Sequence, residues 1–307
     1  MKKEEMRIGV VIVTRNRLEC LKIALKRYDE QTKTPEYIIV VNNCSTDDGK
    51  TQEFLKNWSE TKRNYEKIVI TSQENGGGSG GFWIAENEAM KHDAEWIWHA
   101  DDDAYPNVDA LEKIEKAYRE DDNNVVAFCA AVRDVNNENH DISCWRILYK
   151  GLFFMKWIEK SSRKKYFDVD KFMYLGCVLS KRILEKVGLT NKEFFIHEDD
   201  IEHSMRIRKE GRIVAVTDAI LLHPSWQDSR DPMQMNWKHY YSVRNKIISV
   251  GINFGEKYRQ SEIVKARIKL LLHILKKYPD NIINMEKEAI QDGKNNELGK
   301  KASYLPR

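Results

Sequence analysis

No apolar run in this chain reaches the ~20 residues needed to span a bilayer, so any membrane contact is expected from the surface. The first residues, Met1-Lys2-Lys3-Glu4-Glu5, are charged and lead straight into a strand pattern, without the apolar core of a signal peptide. The five cysteines, Cys20, Cys44, Cys129, Cys144 and Cys177, form no CxxC pair. That set speaks against a disulfide framework or a zinc site and fits a reducing compartment. An excess of one charge is missing too. The net charge is +3 over 307 residues, so bulk electrostatics does not point to nucleic acid as a partner. There is no internal repeat and no low-complexity linker. The expectation is a cytoplasmic protein whose membrane contact, if it has one, is peripheral at the inner face of the cell membrane.

What is present is an alternation of short apolar runs and helical spacings. Residues 8–13 and 37–41 are continuous β-branched runs, the pattern of buried parallel strands. Residues 67–71, 96–101 and 125–132 read as further strands. Between them Leu18, Leu21, Leu25 and Tyr28 recur at helical spacing, and helices are expected from the glycine cluster to Lys91 and over 107–119. Strand, helix, strand, helix predicts a mostly parallel α/β sheet flanked by helices. Such sheets bind ligands outside the carboxyl ends of their strands. The polar clusters lie at those ends: Thr14-Arg15-Asn16-Arg17, Asn42-Asn43-Cys44-Ser45-Thr46-Asp47, and Asn75 with the glycines that follow.

The chain is organised around Trp96-Ile97-Trp98-His99-Ala100-Asp101-Asp102-Asp103-Ala104-Tyr105-Pro106. An apolar strand ends in three adjacent carboxylates, which repel and are hard to desolvate without a counter-charge. Strand alternation puts Asp101 and Asp103 on one side. Two hard oxygen ligands there suit Mg²⁺ or Mn²⁺ holding a diphosphate. A solvated acidic turn capping the next helix is the plainer alternative. The glycine cluster, residues 76–81, has neither the dinucleotide spacing nor the Lys-Ser/Thr of a P-loop. It either lets backbone approach a ligand closely or is a flexible loop.

These motifs, in this order over the first half of the chain, resemble inverting family 2 glycosyltransferases of GT-A fold. The Asp-Asp-Asp triplet followed by Pro, with glycines and Phe82 before it, is most similar to galactofuranosyltransferases. The resemblance implies nucleotide-sugar binding by Thr14, Arg15, Asn16, Arg17, Asn43, Asn75, Gly77, Gly81 and Asp102, with the 14–17 turn and Asn43 at uracil and ribose. It implies a metal on Asp101 and Asp103. The chain departs from the family at Asn42 and Asn43, where aspartate is common.

In the second half, 172–179 reads as a strand, 181–187 as a short helix, and 213–216 with 219–222 as apolar segments. Phe194-Phe195-Ile196-His197-Glu198-Asp199-Asp200-Ile201-Glu202 opens a helix with Ile201, Met205 and Arg208 on one face. Acids at a helix N-terminus are stabilised by its dipole, which explains one or two acids better than four. The resemblance makes Asp199-Asp200 the catalytic pair and Asp200 the base, and makes His223, in His223-Pro224-Ser225-Trp226, the third metal ligand. His99, His197 and His203 have no assignment.

Two segments interleave apolar residues with Lys and Arg: 145–166, and 263–278, where Ile268, Leu271, Leu272 and Leu275 share a face. They suit an anionic membrane surface or, for 145–166 equally, packing on the sheet; for 263–278 a packed helix or a homo-oligomer contact is the favoured reading. Residues after about 280 are expected to be loosely ordered. The implied division is a GT-A catalytic domain over 1–255 (nucleotide-sugar half 1–132, acceptor half 133–255) and a helical extension over 256–307. The implied function is transfer of a hexosyl, galactofuranosyl, residue from a UDP-sugar to a surface-glycan or lipid-linked acceptor with Mn²⁺ or Mg²⁺. Alternatives are rhamnosyl transfer from a dTDP-sugar, nucleotidyl transfer, and a non-catalytic sugar-nucleotide-binding subunit.

Overall fold

The computed structural model describes residues 5–120, 124–143, 145–148, 155–158, 163–225 and 235–306. In chain order the elements are β1 (Ile8–Thr14), α1 (Leu18–Asp29), β2 (Tyr37–Asn42), α2 (Lys50–Glu60), β3 (Glu66–Thr71), α3 (Gly77–Ala89), β4 (Trp96–Asp101), β5 (Tyr105–Pro106), α4 (Ala110–Glu120) and β6 (Val125–Asp134). Then come β7 (Asn137–Asp141), β8 (Arg146–Leu148), β9 (Met155–Trp157), β10 (Tyr166–Val169), β11 (Cys177–Ser180), α5 (Lys181–Val187), α6 (Asp199–Ile207), β12 (Arg212–His223), α7 (Lys238–Phe254), α8 (Glu256–Leu275) and α9 (Asp280–Asn295).

Every residue of β1 and β2 is buried, because helices cover both faces of the sheet they form. Alternation splits the core in two. Val10, Ile12 and Trp98 pack with Leu21, Leu25, Leu111 and Ile114 from α1 and α4. Val11, Val13 and Ile97 pack with Phe82 and Ala85 from α3, Ile183 from α5 and Ile207 from α6. The main sheet runs β10-β12-β6-β11-β4-β1-β2-β3, with β5 on β12 and β7 on β6. β1 is parallel to β2 and β4. β11 is antiparallel to both its neighbours, β4 and β6, so the parallel order is interrupted where the second half of the chain enters.

Several expectations need correction. The strand expected over 172–179 is only β11, because Phe172 and Tyr174 are packed against His203 instead of pairing. The two apolar segments after 212 are one strand, β12, irregular between Val216 and Ile220. The end of the chain is ordered, not loose. α9 buries Ile282, Ile283, Met285, Ala289 and Ile290, and Tyr240 of α7 donates from its hydroxyl to Asp292 at 2.5 Å. Tyr304 stacks on Tyr240 with centroids 4.4 Å apart.

Of the basic-aromatic segment 145–166, β8 and β9 pair as a separate antiparallel ribbon. Trp145 is buried under the Arg163 guanidinium, 5.0 Å from its ring centre, and residues 149–154 and 159–162 lie outside the described residues. α8 is different: Val264, Ile268, Leu271, Leu272, Ile274 and Leu275 are all exposed. Among the described residues no helix is long and apolar enough to cross a membrane. Cys20, Cys44, Cys129 and Cys177 are free thiols; Cys144 and Trp226 lie outside the described residues.

Candidate functional site

The register of the parallel strands lines up three of the motifs. Thr14 sits opposite Asn42, and Val13 opposite Asp101, so the turns after β1, β2 and β4 share one sheet edge. The carboxylates meet their counter-charges there. Thr14 Oγ1 donates to Asp102 Oδ2 at 2.7 Å. Arg17 Nη1 donates to Asp102 Oδ1 at 3.3 Å and makes a shorter bond to Asp103 Oδ2. β4 ends at Asp101, so Asp103 lies in the turn beyond it and strand alternation does not set its direction. β5 does so instead. Its pairing of Tyr105 with Leu222 brings His223, the next residue of β12, to 3.4 Å from Asp103 Oδ1.

The three aspartates differ electrostatically. Burial, then the charges of Asp103 and Asp102, hold Asp101 well above the usual carboxylate range, and Asp199 adds to this. Burial pushes Asp102 up to about 6 against the opposing bonds from Thr14 and Arg17. For Asp103 burial acts the same way, but His223 and Arg17 outweigh it and the group is lowered.

The Asp103–His223 contact bears on metal binding. His223 Nδ1 lies 2.6 Å from the Pro224 carbonyl, which can only accept, so Nδ1 carries the proton. Nε2 lies 3.4 Å from buried Asp103 Oδ1: a protonated ring pairs with that carboxylate, and a neutral ring turns a lone pair toward it. In its neutral form the ring and the Asp103 carboxylate offer two acceptors that fit a cation, with the other ring nitrogen tied to a carbonyl as ligating histidines usually are. Among the described residues no three such side chains already converge as a metal cage.

On the other side, Asn16 joins the first two turns: its backbone N–H donates to Ser45 Oγ at 3.0 Å and its Oδ1 accepts from Thr46 N at 2.7 Å. Buried Asn43 holds the glycine loop, donating to the Gly77 carbonyl at 2.7 Å and accepting from Gly76 N at 3.1 Å. Its amide is thus engaged with backbone. Asn75 Oδ1 accepts from Gly77 N at 2.9 Å. Gly77 has φ +69°, and a Cβ there would sit 1.9 Å from the Phe195 carbonyl oxygen. A Cβ on Gly81 would meet Val13 Cγ1 at 2.4 Å, so α3 starts pressed against both β1 and the segment before α6.

That segment is strained. Phe195, His197 and Glu198 have φ of 65°, 63° and 66°, each costing of order 1–3 kcal/mol for a residue other than glycine. Asn245 of α7, fully buried, donates to the carbonyls of Phe194, Ile196 and His197, each at 2.9 Å. Hydrogen bonds of about 0.5–1.5 kcal/mol each offset only part of the strain; Phe195, packed on Tyr241 with centroids 5.1 Å apart, contributes burial as well. The result delivers Asp199 and Asp200 to the first turn of α6. Asp199 is buried, and burial followed by the charge of Asp200 raises its proton affinity. The Ile201 N–H donates to Asp200 Oδ1 at 2.7 Å.

His99 and His203 find their place in a network with no water contact. Glu86 of α3 accepts from Thr190 N at 2.7 Å and lies 3.0 Å from His99 Nε2. Tyr174 Oη lies 2.5 Å from Thr190 Oγ1 and 2.6 Å from His203 Nδ1. Burial pushes Glu86 up, but His99 and His203 outweigh it and the carboxylate is lowered; burial pushes His203 down to about 4. This cluster ties α3, β4 and α6 together behind the acids. His197 is exposed. Glu86, Asn245, and Lys300, whose Nζ donates to the Asn75 carbonyl at 3.1 Å, are missed by sequence reasoning: a lone polar residue in a helix or tail carries no spacing signal.

A family model described as "Glycosyl transferase family 2" matches residues 9–188. GlfT1 of Mycobacterium tuberculosis, a galactofuranosyltransferase, is 22% identical over 239 residues, 76% of this chain and 75% of its own. GlfT1 of Mycolicibacterium smegmatis is 33% identical over 99 residues, 32% of this chain and 30% of its own. Among solved structures, S. aureus TarS 1-349 aligns with a TM-score of 0.55 at 17% identity, covering 84% of this chain and 68% of that one. GalNAc-T7 with UDP, GalNAc and Mn²⁺ aligns with a TM-score of 0.61 at 13% identity, covering 80% and 48%. At these identities the structural likeness shows the fold.

The close approach at Gly77 predicts an asymmetry within the loop. Gly77→Ala should lower stability by about 1–3 kcal/mol or more, whereas Gly78→Ala, with no atom within 4 Å of the new Cβ, should be near neutral. Urea unfolding of the two variants checks this; equal stabilities would mean that the loop is not held against Phe195.

Proposed function

The chain belongs to glycosyl transferase family 2 and has the GT-A fold, and from that premise we propose that it transfers a galactofuranosyl residue from a UDP-sugar, with inversion and with Mn²⁺ or Mg²⁺, to a glycan or lipid-linked acceptor. One observation carries the reading: the glycine loop is held to both acidic segments, Asn43 at the sheet edge donating to the Gly77 carbonyl at 2.7 Å and Ser79 N–H donating at 3.2 Å to the carbonyl of Phe195, in the turn that delivers Asp199 and Asp200. The sugar is suggested by GlfT1, and UDP by the solved complexes of TarS and GalNAc-T7.

Asp101, Asp103 and His223 would hold the metal, which when bound supplies positive charge to the leaving diphosphate. Arg17, on Asp102 and Asp103, adds charge at the rim. The turn 14–17, Asn43, Asn75, Gly77, Gly81 and Asp102 form the donor side, within residues 1–132 of a catalytic domain over 1–255. Asp200 is the base. Inversion needs a carboxylate to take the acceptor hydroxyl proton as that oxygen attacks the anomeric carbon. Asp200 is oriented by the Ile201 N–H, beside buried Asp199, whose proton affinity burial and the charge of Asp200 raise.

α8, in the extension over 256–307, is read as the membrane-facing element. Its exposed Val264, Ile268, Leu271, Leu272 and Leu275 are accompanied by exposed Lys265, Arg267, Lys269, Lys276 and Lys277, with no exposed acid between 264 and 277. A second copy of this face would set basic residues against basic ones; an anionic surface complements it.

Three outcomes are expected. Calorimetry should show UDP affinity that falls on adding EDTA, and Asp103→Asn should lose the metal-dependent part; equal affinity in every case would remove the metal role. Asp200→Asn should lower single-turnover transfer at least about a hundredfold with UDP affinity near wild type, and near-normal transfer would take Asp200 out of the mechanism. The protein should sediment with phosphatidylglycerol vesicles at low salt and be released at high salt; no sedimentation at low salt would overturn the membrane reading.

A further inference from the structure

The working segments of the site belong to three separate elements. The glycine loop opens α3, the aspartates end β4 and the acids open α6. Behind them runs one chain of buried polar side chains, His99, Glu86, Thr190, Tyr174 and His203, none more than 5% exposed. His99 stands two residues before Asp101, and His203 three after Asp200. Glu86 lies 3.0 Å from His99 Nε2 and accepts from Thr190 Oγ1 at 2.9 Å and from Thr190 N at 2.7 Å. Glu86 Oε1 and His203 Nδ1 are 3.9 Å apart, too far for a hydrogen bond. The hydroxyls of Thr190 and Tyr174 bridge that gap, Tyr174 Oη lying 2.5 Å from Thr190 Oγ1 and 2.6 Å from His203 Nδ1. The remaining nitrogen of each ring is tied to backbone: His99 Nδ1 is 3.1 Å from the Ile97 carbonyl, and His203 Nε2 is 3.1 Å from the Gly188 carbonyl.

We propose that Thr190 and Tyr174 are positioning residues of the reaction: through Glu86, their hydroxyls set the separation between the acids of α6 and the aspartates of β4. This rests on the glycosyl-transfer reading above and adds to it two residues buried away from both substrates. Hydrogen bonds are directional and short-ranged, so a chain of them fixes a distance that apolar packing, tolerant of hydrophobic exchange, leaves adjustable. In a buried network each member also holds its neighbours, because removing one leaves the others unpaired. The separation matters to the chemistry: a displacement of about 1 Å costs on the order of a hundredfold in rate. Deleting either hydroxyl cuts the tie to α6 and leaves Glu86 bonded to His99 and to the Thr190 N–H. The donor side therefore keeps its place while the base loses its own.

The test uses the full chain with Mn²⁺ at a temperature where thermal unfolding shows every variant folded. It follows release of free sugar from saturating UDP-galactofuranose, water standing in for the acceptor hydroxyl, and measures UDP affinity by calorimetry. Tyr174→Phe and Thr190→Val should each slow turnover by about tenfold or more with UDP affinity within about twofold of wild type. Thr190→Ser keeps the hydroxyl and should restore turnover. Tyr28→Phe is the control. It deletes another buried tyrosine hydroxyl, one that accepts from Trp98 Nε1 of β4 at 2.9 Å and makes no bond to α6. It should lose thermal stability as Tyr174→Phe does, yet turn over within about twofold of wild type. Normal turnover by Tyr174→Phe, or equal losses in Tyr28→Phe and Tyr174→Phe, would reduce the network to a part of the core and overturn the inference. So would a fall in UDP affinity that accounts for the whole loss of turnover, or a Thr190→Ser as slow as Thr190→Val. Should Thr190→Val not fold, Tyr174→Phe against Tyr28→Phe decides alone. Wild type that neither binds UDP nor releases sugar refutes the glycosyl-transfer reading and this inference with it; an active wild type matched by Tyr174→Phe refutes this inference alone.

Discussion

Three carboxylates at the end of one buried strand form a configuration that cannot stand without partners. At an effective dielectric of about 20, unit charges 4 Å apart interact by roughly 4 kcal/mol, a large fraction of a domain's net stability. The rest of the site is arranged to answer that repulsion. Thr14 and Arg17 come from the turn after β1, and His223 comes from the far end of β12, delivered by the two-residue strand β5. They come from two distant parts of the chain, which the sheet brings to one edge. The sheet is therefore the device that lets like charges accumulate at one edge.

The acids of α6 are held by a different means. Their approach turn occupies left-handed conformations that side chains rarely adopt, under a clamp of three carbonyls on Asn245. Because α7 carries that clamp and is itself packed by α9 and Tyr304, the C-terminal helices are part of what positions the acids. Glu86 and its histidines lock the same helix to the strand of the aspartates from behind. Strain at a functional segment, balanced by burial elsewhere, is the usual pattern.

The buried parallel strands were legible because burial on both faces writes continuous apolar runs into β1, β2 and β4. The polar turns were legible because a sheet of this class exposes only its strand ends. What escaped reading lacked a local signal. The stripe of Ile282, Ile283, Met285, Ala289 and Ile290 is diluted by the polar residues around it, so the segment reads as a tail until α7 covers it. Strand β11 starts only at Cys177, although the apolar pattern begins at Phe172, because Phe172 and Tyr174 pack sideways on His203. Asn245 and Glu86 act over distances of about fifty and a hundred residues, which no window reaches.

The antiparallel strand β11 also has a consequence for how the chain is made. It covers the flank of β4, yet residues 177–180 follow Asp101 by some 75 positions. At synthesis rates of about 5–20 residues per second, Trp96, Ile97 and Trp98 wait roughly 4–15 s with one set of backbone donors and acceptors uncovered. A flat apolar edge in that state is a template for pairing with a neighbouring chain. The inserted strand thus sets the moment during translation at which the open edge of β4 is covered.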